Sequence, residues 1–300
     1  MKKSILILGK SGMLGSMVYH YLSRNPNFVI FGTEKSSQIK SNSKILFFDA
    51  VDFLRDKKNF SFLNNYDYII NCIGIIKPYC QDNDPEGVVK AIQVNALFPH
   101  ELSSFCPKIN IIQIATDCVF SGKEGKSKEN KPHDPLDVYG KTKSLGEVHK
   151  NNFLNLRCSI IGPENKHKKS LLEWFLGQKE NSVLKGFTHH YWNGITTLQF
   201  AKVCEKIISQ NIFSEMIKIQ HTHHVVINNT VTKYELLNIF KTIFHKKVKI
   251  VKVNDIGPKT DRSLSSLYST INPENTLIPM KKAIGDLSDY IDRYNYYERQ

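Results

Sequence analysis

The 300-residue sequence lacks long apolar runs and an excess of acidic residues. Its longest apolar stretch, 68–76, is interrupted by Asn71 and is far shorter than the ~20 residues that span a bilayer. The aliphatic run near the start, 5–8, is also too short for the core of a signal peptide. We therefore expect a soluble, cytoplasmic protein without a membrane span.

Paired cysteine motifs are also absent. The six cysteines are scattered along the chain without a Cys-x-x-Cys pair: Cys72, Cys80, Cys106, Cys118, Cys158 and Cys204. This usage is typical of reduced cytosolic thiols and argues against a disulfide framework. The histidine-rich stretch 221–224 lacks cysteines or carboxylates at ligand spacing, so no metal site is predicted.

Positive charge is what the chain has in excess. Lys and Arg exceed Asp and Glu by 41 − 28 = 13, and this net positive charge favours anionic ligands. The alternative interpretation is that the excess lysines are simply solvated surface residues. The basic residues are spread along the chain, and no basic motif interleaved with aromatic residues occurs. A nucleic-acid partner is therefore not predicted.

A glycine-rich turn follows the first predicted strand. Residues 4–8 form a continuous aliphatic run, as in a parallel strand buried on both faces, and 16–22 is helical in pattern. Between them, glycines let the backbone approach a pyrophosphate at the helix N-terminus. The spacing is Gly-x-x-Gly-x-x-Gly, not the Gly-x-Gly-x-x-Gly of typical dehydrogenases. The predicted cofactor-binding residues here are Gly9, Ser11, Gly12, Met13, Leu14 and Gly15.

The end of the second predicted strand, 28–32, concerns the choice of cofactor. At this strand tip an acidic residue selects NAD, whereas small or basic residues accept the 2′-phosphate of NADP. Thr33, Lys35 and Ser36 favour NADPH. Glu34 beside them leaves NADH as the other option.

Two more predicted strands contribute to the same cofactor site. The third, 44–49, ends at Asp49, which either binds the adenine edge or starts a turn. The fourth, 66–74, carries Cys72 and Gly74 at its carboxyl end, where the backbone passes close to a cofactor. Both ends are therefore predicted to line the cofactor cleft.

Candidate catalytic residues follow the fifth predicted strand, 110–115. Thr116 lies beyond its carboxyl end, in the crevice where open α/β sheets bind ligands, and can hydrogen-bond a substrate carbonyl. Tyr139 and Lys143 stand four residues apart, so on a helix they share one face. A nearby ammonium lowers a phenol pKa from about 10 and makes tyrosine a usable acid or base. Taken alone, Thr116 also suits a capping threonine. The spacing of Tyr139 and Lys143, taken alone, also suits an ordinary amphipathic helix.

The alternating strands and helices predict an α/β fold with a Rossmann-type, doubly wound parallel sheet. We expect an NAD(P)-binding domain over 1–160 and a smaller, interleaved α/β substrate lobe over 161–300. In that lobe helices are predicted at 170–177, 198–210 and 232–244, and strands at 225–228 and 248–253. The aromatic segment 186–197 either stacks on a base or packs as a loop.

Three motifs together resemble the extended short-chain dehydrogenase/reductase superfamily. They are Gly9/Gly12/Gly15, Thr116-Asp117-x-Val119-Phe120-x-Gly122 and Tyr139-Gly140-Lys141-Thr142-Lys143. Within the superfamily the chain is most similar to the dTDP-4-dehydrorhamnose reductase family. Segments 192–197 and 258–264 parallel that family's Gly-x-Pro-Thr and Arg-Pro-x-x-Ser-x-Leu stretches, so the resemblance covers nearly the whole chain.

The resemblance implies reduction of a 4-keto group on a nucleotide-activated deoxysugar, in the synthesis of surface polysaccharide precursors. Tyr139 would give the proton to the carbonyl oxygen, Lys143 would bind the nicotinamide ribose, and Thr116 would hold the carbonyl. NADPH is the implied cofactor, with NADH possible on the same scaffold. The implied substrate-binding residues are Thr116, Asp117, Cys118, Val119, Phe120, Trp192, Asn193, Thr197 and Arg262.

Departures from the family pattern keep other functions open. Cys118 replaces the usual aromatic residue and Thr196 replaces a proline, which leaves a sugar other than that of the family open. An epimerase or dehydratase on the same scaffold is one alternative, although Asp117 is followed by Cys118 and not by the glutamate of dehydratases. A non-catalytic regulatory subunit is another, since that of methionine adenosyltransferase resembles the same family. Homodimers are common on this scaffold, but the sequence shows no interface, so a homodimer stays one option.

Overall fold

The computed structural model describes residues 2–35, 44–166, 168–254, 256–272 and 276–298. In chain order the strands are β1 (Lys3–Leu8), β2 (Phe28–Glu34), β3 (Ile45–Phe47), β4 (Tyr68–Asn71), β5 (Asn110–Thr116), β6 (Phe153–Cys158), β7 (Ile160–Ile161), β8 (Val183–Phe187), β9 (His190–Trp192), β10 (Ile195–Thr196), β11 (Thr222–His224), β12 (Val231–Thr232), β13 (Lys249–Val253) and β14 (Thr260–Asp261). Seven of them form one parallel sheet in the order β11-β6-β5-β4-β1-β2-β3. The predicted doubly wound α/β fold is confirmed.

The helices cover both faces of this sheet. In chain order they are α1 (Met13–Leu22), α2 (Ala50–Arg55), α3 (Pro85–Ala91), α4 (Phe98–Phe105), α5 (Val138–Leu145), α6 (Leu171–Leu176), α7 (Thr197–Ser209), α8 (Phe213–Ile219), α9 (Lys233–Ile243) and α10 (Met280–Arg293). A π-helix, Ile92–Leu97, joins α3 to α4. Across the described ranges, none of these helices is long and apolar enough to cross a membrane.

Alternate residues of β1 show why the sheet is buried on both sides. Ile5 and Ile7 belong to the apolar cluster that includes residues of α1, α7 and α8. Leu6 and Leu8 belong to the cluster that includes residues of α2 and α4 on the opposite face. Since successive side chains of a strand point to opposite faces, a continuous aliphatic run fits a strand with helices on both sides.

The last third of the chain contributes to the main sheet and to a smaller lobe. α7 packs on α1, and β11 extends the main sheet beyond β6. The smaller lobe contains the pairs β8–β13 and β7–β10 and the three-stranded sheet β12-β9-β14, with α9 and α10 packed together. The chain thus passes between the two parts, and the domain division at residue 160 stays a prediction.

The strand predicted at 225–228 is wrong: the structure places β11 three residues earlier. β11 is polar, and its residues pair with polar groups of β6, since Thr222 lies opposite Asn155 and His224 opposite Arg157. The apolar residues that follow leave the sheet. The Val226 N–H donates to the side chain of Asn272, and the Ile227 carbonyl accepts from Ile278 N–H.

Candidate active site at the carboxyl ends of the parallel strands

The glycine turn after β1 is folded tightly onto β2. Gly9 has φ +77°, a left-handed conformation that favours glycine. Its N–H donates to Thr33 Oγ1 at 3.1 Å, and Lys10 N–H donates to the Thr33 carbonyl at 3.0 Å. A Cβ at Gly15 would lie 2.2 Å from the Gly9 carbonyl oxygen, so α1 packs directly on the turn. Gly9 and Gly15 are therefore required by the fold itself.

Gly12 has a different explanation. It is exposed at the N-cap of α1, no side chain caps the helix there, and a Cβ would meet only the Gly9 carbonyl at an ordinary 3.5 Å. Nothing in the described protein requires glycine at this position, whereas a pyrophosphate at the helix N-terminus does. Ser11 and Met13 beside it are half-buried, and Leu14 packs into the core. The turn therefore fits a dinucleotide.

At the tip of β2, carboxylates balance the lysines. Lys10 Nζ lies 3.0 Å from Glu34 Oε1, and Lys35 Nζ lies 2.6 Å from Asp49 Oδ2. Thr33 is fully buried with its hydroxyl bonded to Gly9, so it supports the turn from below. Ser36 lies outside the described residues.

Asp49 lies at the start of a helix, which agrees with the second of the two roles predicted for it, the start of a turn, and not with the first, adenine binding. Its carboxylate caps α2 by accepting from Val51 N–H at 2.7 Å and from Asp52 N–H at 3.4 Å. These bonds and Lys35 lower the Asp49 pKa against the opposing effect of burial. A contact with adenine stays a prediction.

Cys72 and Gly74 lie just beyond β4, beside the carboxyl end of β1. Cys72 is half-buried, and burial raises the pKa of its thiol. Gly74 is exposed, and a Cβ there would lie 3.4 Å from Asn95 Oδ1. Cys72 lies against the glycine turn, since a Cβ at Gly9 would lie 3.6 Å from its carbonyl carbon, and cofactor contacts of both residues stay predictions.

Thr116 and Asp117 end β5 and begin a short 3₁₀ turn. The Thr116 hydroxyl donates to Asp117 Oδ1 at 3.2 Å and accepts from Cys118 N–H at 3.2 Å. Burial raises the Asp117 pKa, and the charge of Arg262 opposes this rise. Burial also raises the pKa of the half-buried Cys118 to about 12, so this thiol is not a reactive thiolate.

The helix α5 carries Tyr139 and Lys143 against this turn. Asp137 caps the helix by accepting from Gly140 N–H at 2.8 Å. A Cβ at Gly140 would lie 2.3 Å from the Cys118 carbonyl oxygen, so the helix packs directly on the turn after Thr116. This close approach brings the Tyr139 phenol near the Thr116 hydroxyl, which acts to lower the pKa of the phenol.

Lys143 is almost wholly buried, with 5 % of its surface exposed. Its Nζ donates to the Ile114 carbonyl of β5 at 2.8 Å. Burial lowers the Lys143 pKa from 10.5 to about 8, while Glu147, Cys158 and Cys72 oppose this effect. A cation is thus held at the carboxyl end of the central strands.

The expected lowering of the Tyr139 pKa is wrong. Burial raises it most, Cys118 and Asp117 add to the rise, and only the Thr116 hydroxyl lowers it. The Lys143 ammonium binds the Ile114 carbonyl, and burial outweighs charge at the phenol. The phenol is therefore protonated at neutral pH, which is the form that donates a proton.

Several predicted substrate-binding residues form the wall behind this site. Val119 and Phe120 are 0 % and 3 % exposed and pack with Leu264, so they have almost no surface to offer a ligand. Thr197 is also fully buried, and a Cβ at Gly162 would lie 2.2 Å from its Oγ1. Their substrate contacts stay predictions without support from the geometry.

Trp192, Asn193 and Arg262 hold the small sheet β12-β9-β14 against the turn after β5. Asn193 is buried and bonds both backbone groups of Leu264, at 2.8 and 2.9 Å. The half-buried Trp192 ring lies against Gly194. Arg262 Nη1 donates to the Phe120 carbonyl at 3.1 Å. Of the three, Arg262 lies nearest the catalytic pair, since its charge acts on the Asp117 carboxyl.

Two residues that the motifs did not identify also contact the site. Asn95, in the π-helix, is buried and bonds both backbone groups of Ile75 and the Thr142 hydroxyl. Lys77 pairs with Asp137 at 2.6 Å and lies 5.9 Å from the centre of the Tyr139 ring. The sequence signal for Asn95 is an asparagine within a helical pattern. No local sequence pattern identifies Lys77.

A buried ion pair, which the sequence analysis also missed, anchors the chain just after α5. Arg157 of β6 is 1 % exposed and binds Glu147 through Nε at 2.9 Å and Nη2 at 2.6 Å. Its remaining N–H groups contact His224 Nε2 and His133 Nε2. This network explains the histidine-rich stretch structurally, and the described residues contain no cluster of three metal-binding side chains.

Comparison with known proteins gives consistent matches. A sequence model of the family described as RmlD substrate binding domain matches residues 1–295. Methionine adenosyltransferase 2 subunit beta of Bos taurus is 26 % identical over 247 residues, which cover 78 % of this chain and 70 % of that protein.

Two solved structures extend these matches to the fold. A dTDP-4-dehydrorhamnose reductase of Clostridium acetobutylicum superposes with a TM-score of 0.73 at 21 % identity, covering 96 % of this chain and 99 % of the other. That of Bacillus anthracis, in complex with NADP, gives 0.72 at 17 %, covering 97 % and 100 %. At these identities the two structures bear on the fold alone.

Proposed function

The chain belongs to the RmlD substrate binding domain family, and from this premise we propose that it is an NAD(P)H-dependent reductase. Its substrate is a 4-keto group on a nucleotide-activated deoxysugar, and its product is a precursor for surface polysaccharide. One observation carries the proposal. Thr116, Tyr139 and the buried Lys143 converge at the carboxyl end of β5, beside a glycine turn with room for a pyrophosphate at Gly12.

The nicotinamide cofactor, when bound, supplies a hydride to the carbonyl carbon. Thr116 orients the substrate, because its hydroxyl lies beside the phenol and can hydrogen-bond the same carbonyl oxygen. Tyr139 donates its proton to that oxygen as negative charge develops there. Lys143 remains fixed to the Ile114 carbonyl, where its ammonium would bind the nicotinamide ribose.

NADPH is the proposed cofactor and NADH the alternative. Lys10 and Lys35 at the β2 tip can face a 2′-phosphate, but each is paired with a carboxylate, Glu34 and Asp49 respectively. The preference therefore depends on whether the phosphate displaces these pairs. Binding of each cofactor, measured separately, decides it.

A second candidate is a non-catalytic regulatory subunit. The similarity to methionine adenosyltransferase 2 subunit beta favours it. The two candidates differ in one observable, since a regulatory subunit binds the cofactor without oxidising it. An epimerase is distinguished in the same assay, because it recycles its cofactor without net oxidation.

The proposal is tested by following NADPH absorbance with an enzymatically generated dTDP-4-keto-6-deoxysugar, dTDP-4-dehydrorhamnose. Tyr139→Phe should reduce turnover about 10²–10⁴-fold, the usual contribution of a general acid. Tyr66→Phe is the matched control, since Tyr66 precedes β4 at the opposite end of the sheet. Cofactor binding without turnover in the wild type would favour the regulatory subunit instead.

A further inference from the structure

One side of α1 is bound to the C-terminal end of the chain by tyrosines. Three polar residues spaced four apart, in or just after α1, each contact a different tyrosine. The pairs are Ser16 with Tyr296, His20 with Tyr290, and Arg24 with Tyr294. The first pair joins two hydroxyl oxygens at 2.7 Å, the second joins Nδ1 to a hydroxyl at 2.8 Å, and in the third the guanidinium lies 4.2 Å from the ring centre. Because residues four apart share a helix face, the contacts form one stripe along α1.

The pair Ser16–Tyr296 lies nearest the glycine turn, one helical turn after Gly12. Both side chains are buried, with 4 % and 0 % of their surface exposed. The Ser16 hydroxyl donates its one proton to the Met13 carbonyl at 3.2 Å, so the Tyr296 hydroxyl donates to Ser16 Oγ. The family match ends at residue 295, so Tyr296 lies just beyond the matched part of the chain. This tyrosine sets the direction in which the serine proton points.

Ser16 fixes two peptide groups at the start of α1. Its backbone N–H donates to the Gly12 carbonyl at 2.9 Å, and its hydroxyl donates to the Met13 carbonyl. In a trans peptide the carbonyl and the N–H point in opposite directions, so these two bonds direct the N–H groups of Met13 and Leu14 out of the helix N-terminus. Within the described residues, no side chain caps α1. These N–H groups are therefore available to the pyrophosphate that the turn fits.

We propose that Tyr296 is a positioning residue for the nicotinamide cofactor. Its hydroxyl holds Ser16, and Ser16 holds the amides of Met13 and Leu14 in the orientation that binds a pyrophosphate. The effect is pre-organisation, since a donor that is fixed before binding loses less freedom when the ligand arrives. The inference rests on the proposed function only in assigning a nicotinamide cofactor to the glycine turn.

The test measures the dissociation constant of NADPH, or of NADH where that binds more tightly, by a fluorescence titration that needs no substrate. Tyr296→Phe removes the hydroxyl and keeps the ring, so it should weaken cofactor binding about 3- to 10-fold, within the range of one neutral hydrogen bond. Ser16→Ala should weaken binding at least as much. Adding Tyr296→Phe to Ser16→Ala should have no further effect, because the two residues act as one unit.

Tyr290→Phe is the matched control. Tyr290 is also buried, and its hydroxyl bonds His20 one helical turn further from the glycine turn. Both tyrosine variants should lower the melting temperature, but Tyr290→Phe should keep the cofactor dissociation constant within about 1.5-fold of the wild-type value. In turnover, Tyr296→Phe should raise the KM for the cofactor and leave kcat unchanged, because the catalytic residues are untouched.

The outcomes separate this inference from the proposed function. An equal loss of cofactor affinity in Tyr290→Phe and Tyr296→Phe, or no loss in Tyr296→Phe, overturns the positioning role. A further loss when Tyr296→Phe is added to Ser16→Ala overturns it as well. Cofactor binding without turnover in the wild type overturns the reductase but not this inference, which the dissociation constants decide. A wild type that binds neither NADPH nor NADH overturns both.

Discussion

Replacing Lys143 with methionine should stabilise the protein while abolishing its activity. The lysine is 5 % exposed, and burial lowers its pKa from 10.5 to about 8. At neutral pH the folded protein therefore keeps a proton that its surroundings disfavour. Methionine fills similar space without charge. Residues at functional sites commonly lower stability in this way.

The magnitude follows from the lowered pKa. A Lys143 pKa lowered from 10.5 to about 8 corresponds to roughly 3–4 kcal/mol of destabilisation at pH 7. The hydrogen bond from the charged Nζ to the Ile114 carbonyl, worth about 1.5–3 kcal/mol, is lost in the variant. Lys143→Met should thus gain about 1–2 kcal/mol, or a melting temperature about 2–4 °C higher.

The sign of the pH dependence is fixed by the same shift. The pKa of Lys143 is lower in the folded protein than in the unfolded chain. Its burial therefore destabilises the fold fully below pH 8, where the lysine is charged in both states. The destabilisation decreases as pH rises towards 10.5, where the unfolded chain also loses its proton. Between pH 7 and about pH 9.5, the advantage of the variant in urea denaturation should shrink by about 2 kcal/mol.

Lys141→Met is the matched control, because Lys141 is exposed on the same helix. It should change stability by no more than about 0.5 kcal/mol at either pH. The reasoning is refuted if Lys143→Met is less stable than the wild type at pH 7. A pH-independent difference between the two would refute it as well.

Four further changes give separable outcomes. The Cβ of Gly15→Ala would lie 2.2 Å from the Gly9 carbonyl oxygen, so this variant should lower the free energy of unfolding by about 1–3 kcal/mol, measured by thermal unfolding. Gly12→Ala should leave the free energy of unfolding unchanged and weaken NADPH binding. Glu34→Gln should free Lys10 and raise the affinity for NADPH relative to NADH in a binding titration. Asp117→Asn should be more stable than the wild type, and this gain should shrink as pH falls below the raised folded pKa and disappear below about pH 3.8, where the carboxyl is neutral in both states.

Local patterns predicted the fold and much of the site. The run Ser4–Leu8, the glycines after it and the Tyr139–Lys143 spacing each depend on neighbouring residues, so the sequence shows them directly. The structure brings Thr116 to the phenol and puts Lys143 beside β5, as the crevice rule predicts.

What the sequence missed depends on partners far along the chain. Arg157 is buried in β6 because Glu147 and His224, 10 and 67 residues away, satisfy its guanidinium. The position of β11 follows from the pairing of its polar residues with β6, and a search for apolar residues cannot reveal that pairing. Thr197 matched a motif, but its burial against Gly162 is a tertiary property. A cytoplasmic location and a homodimer stay predictions.

Transfer of a labelled hydride tests the central claim most directly. NADPH that carries deuterium at the transferable position is incubated with the protein and dTDP-4-dehydrorhamnose, a dTDP-4-keto-6-deoxysugar, and the mass of the sugar product is measured by mass spectrometry. The account predicts a product that contains one deuterium, formed by the wild type and lost in Tyr139→Phe. Unlabelled sugar and unoxidised cofactor in the presence of bound NADPH would contradict it.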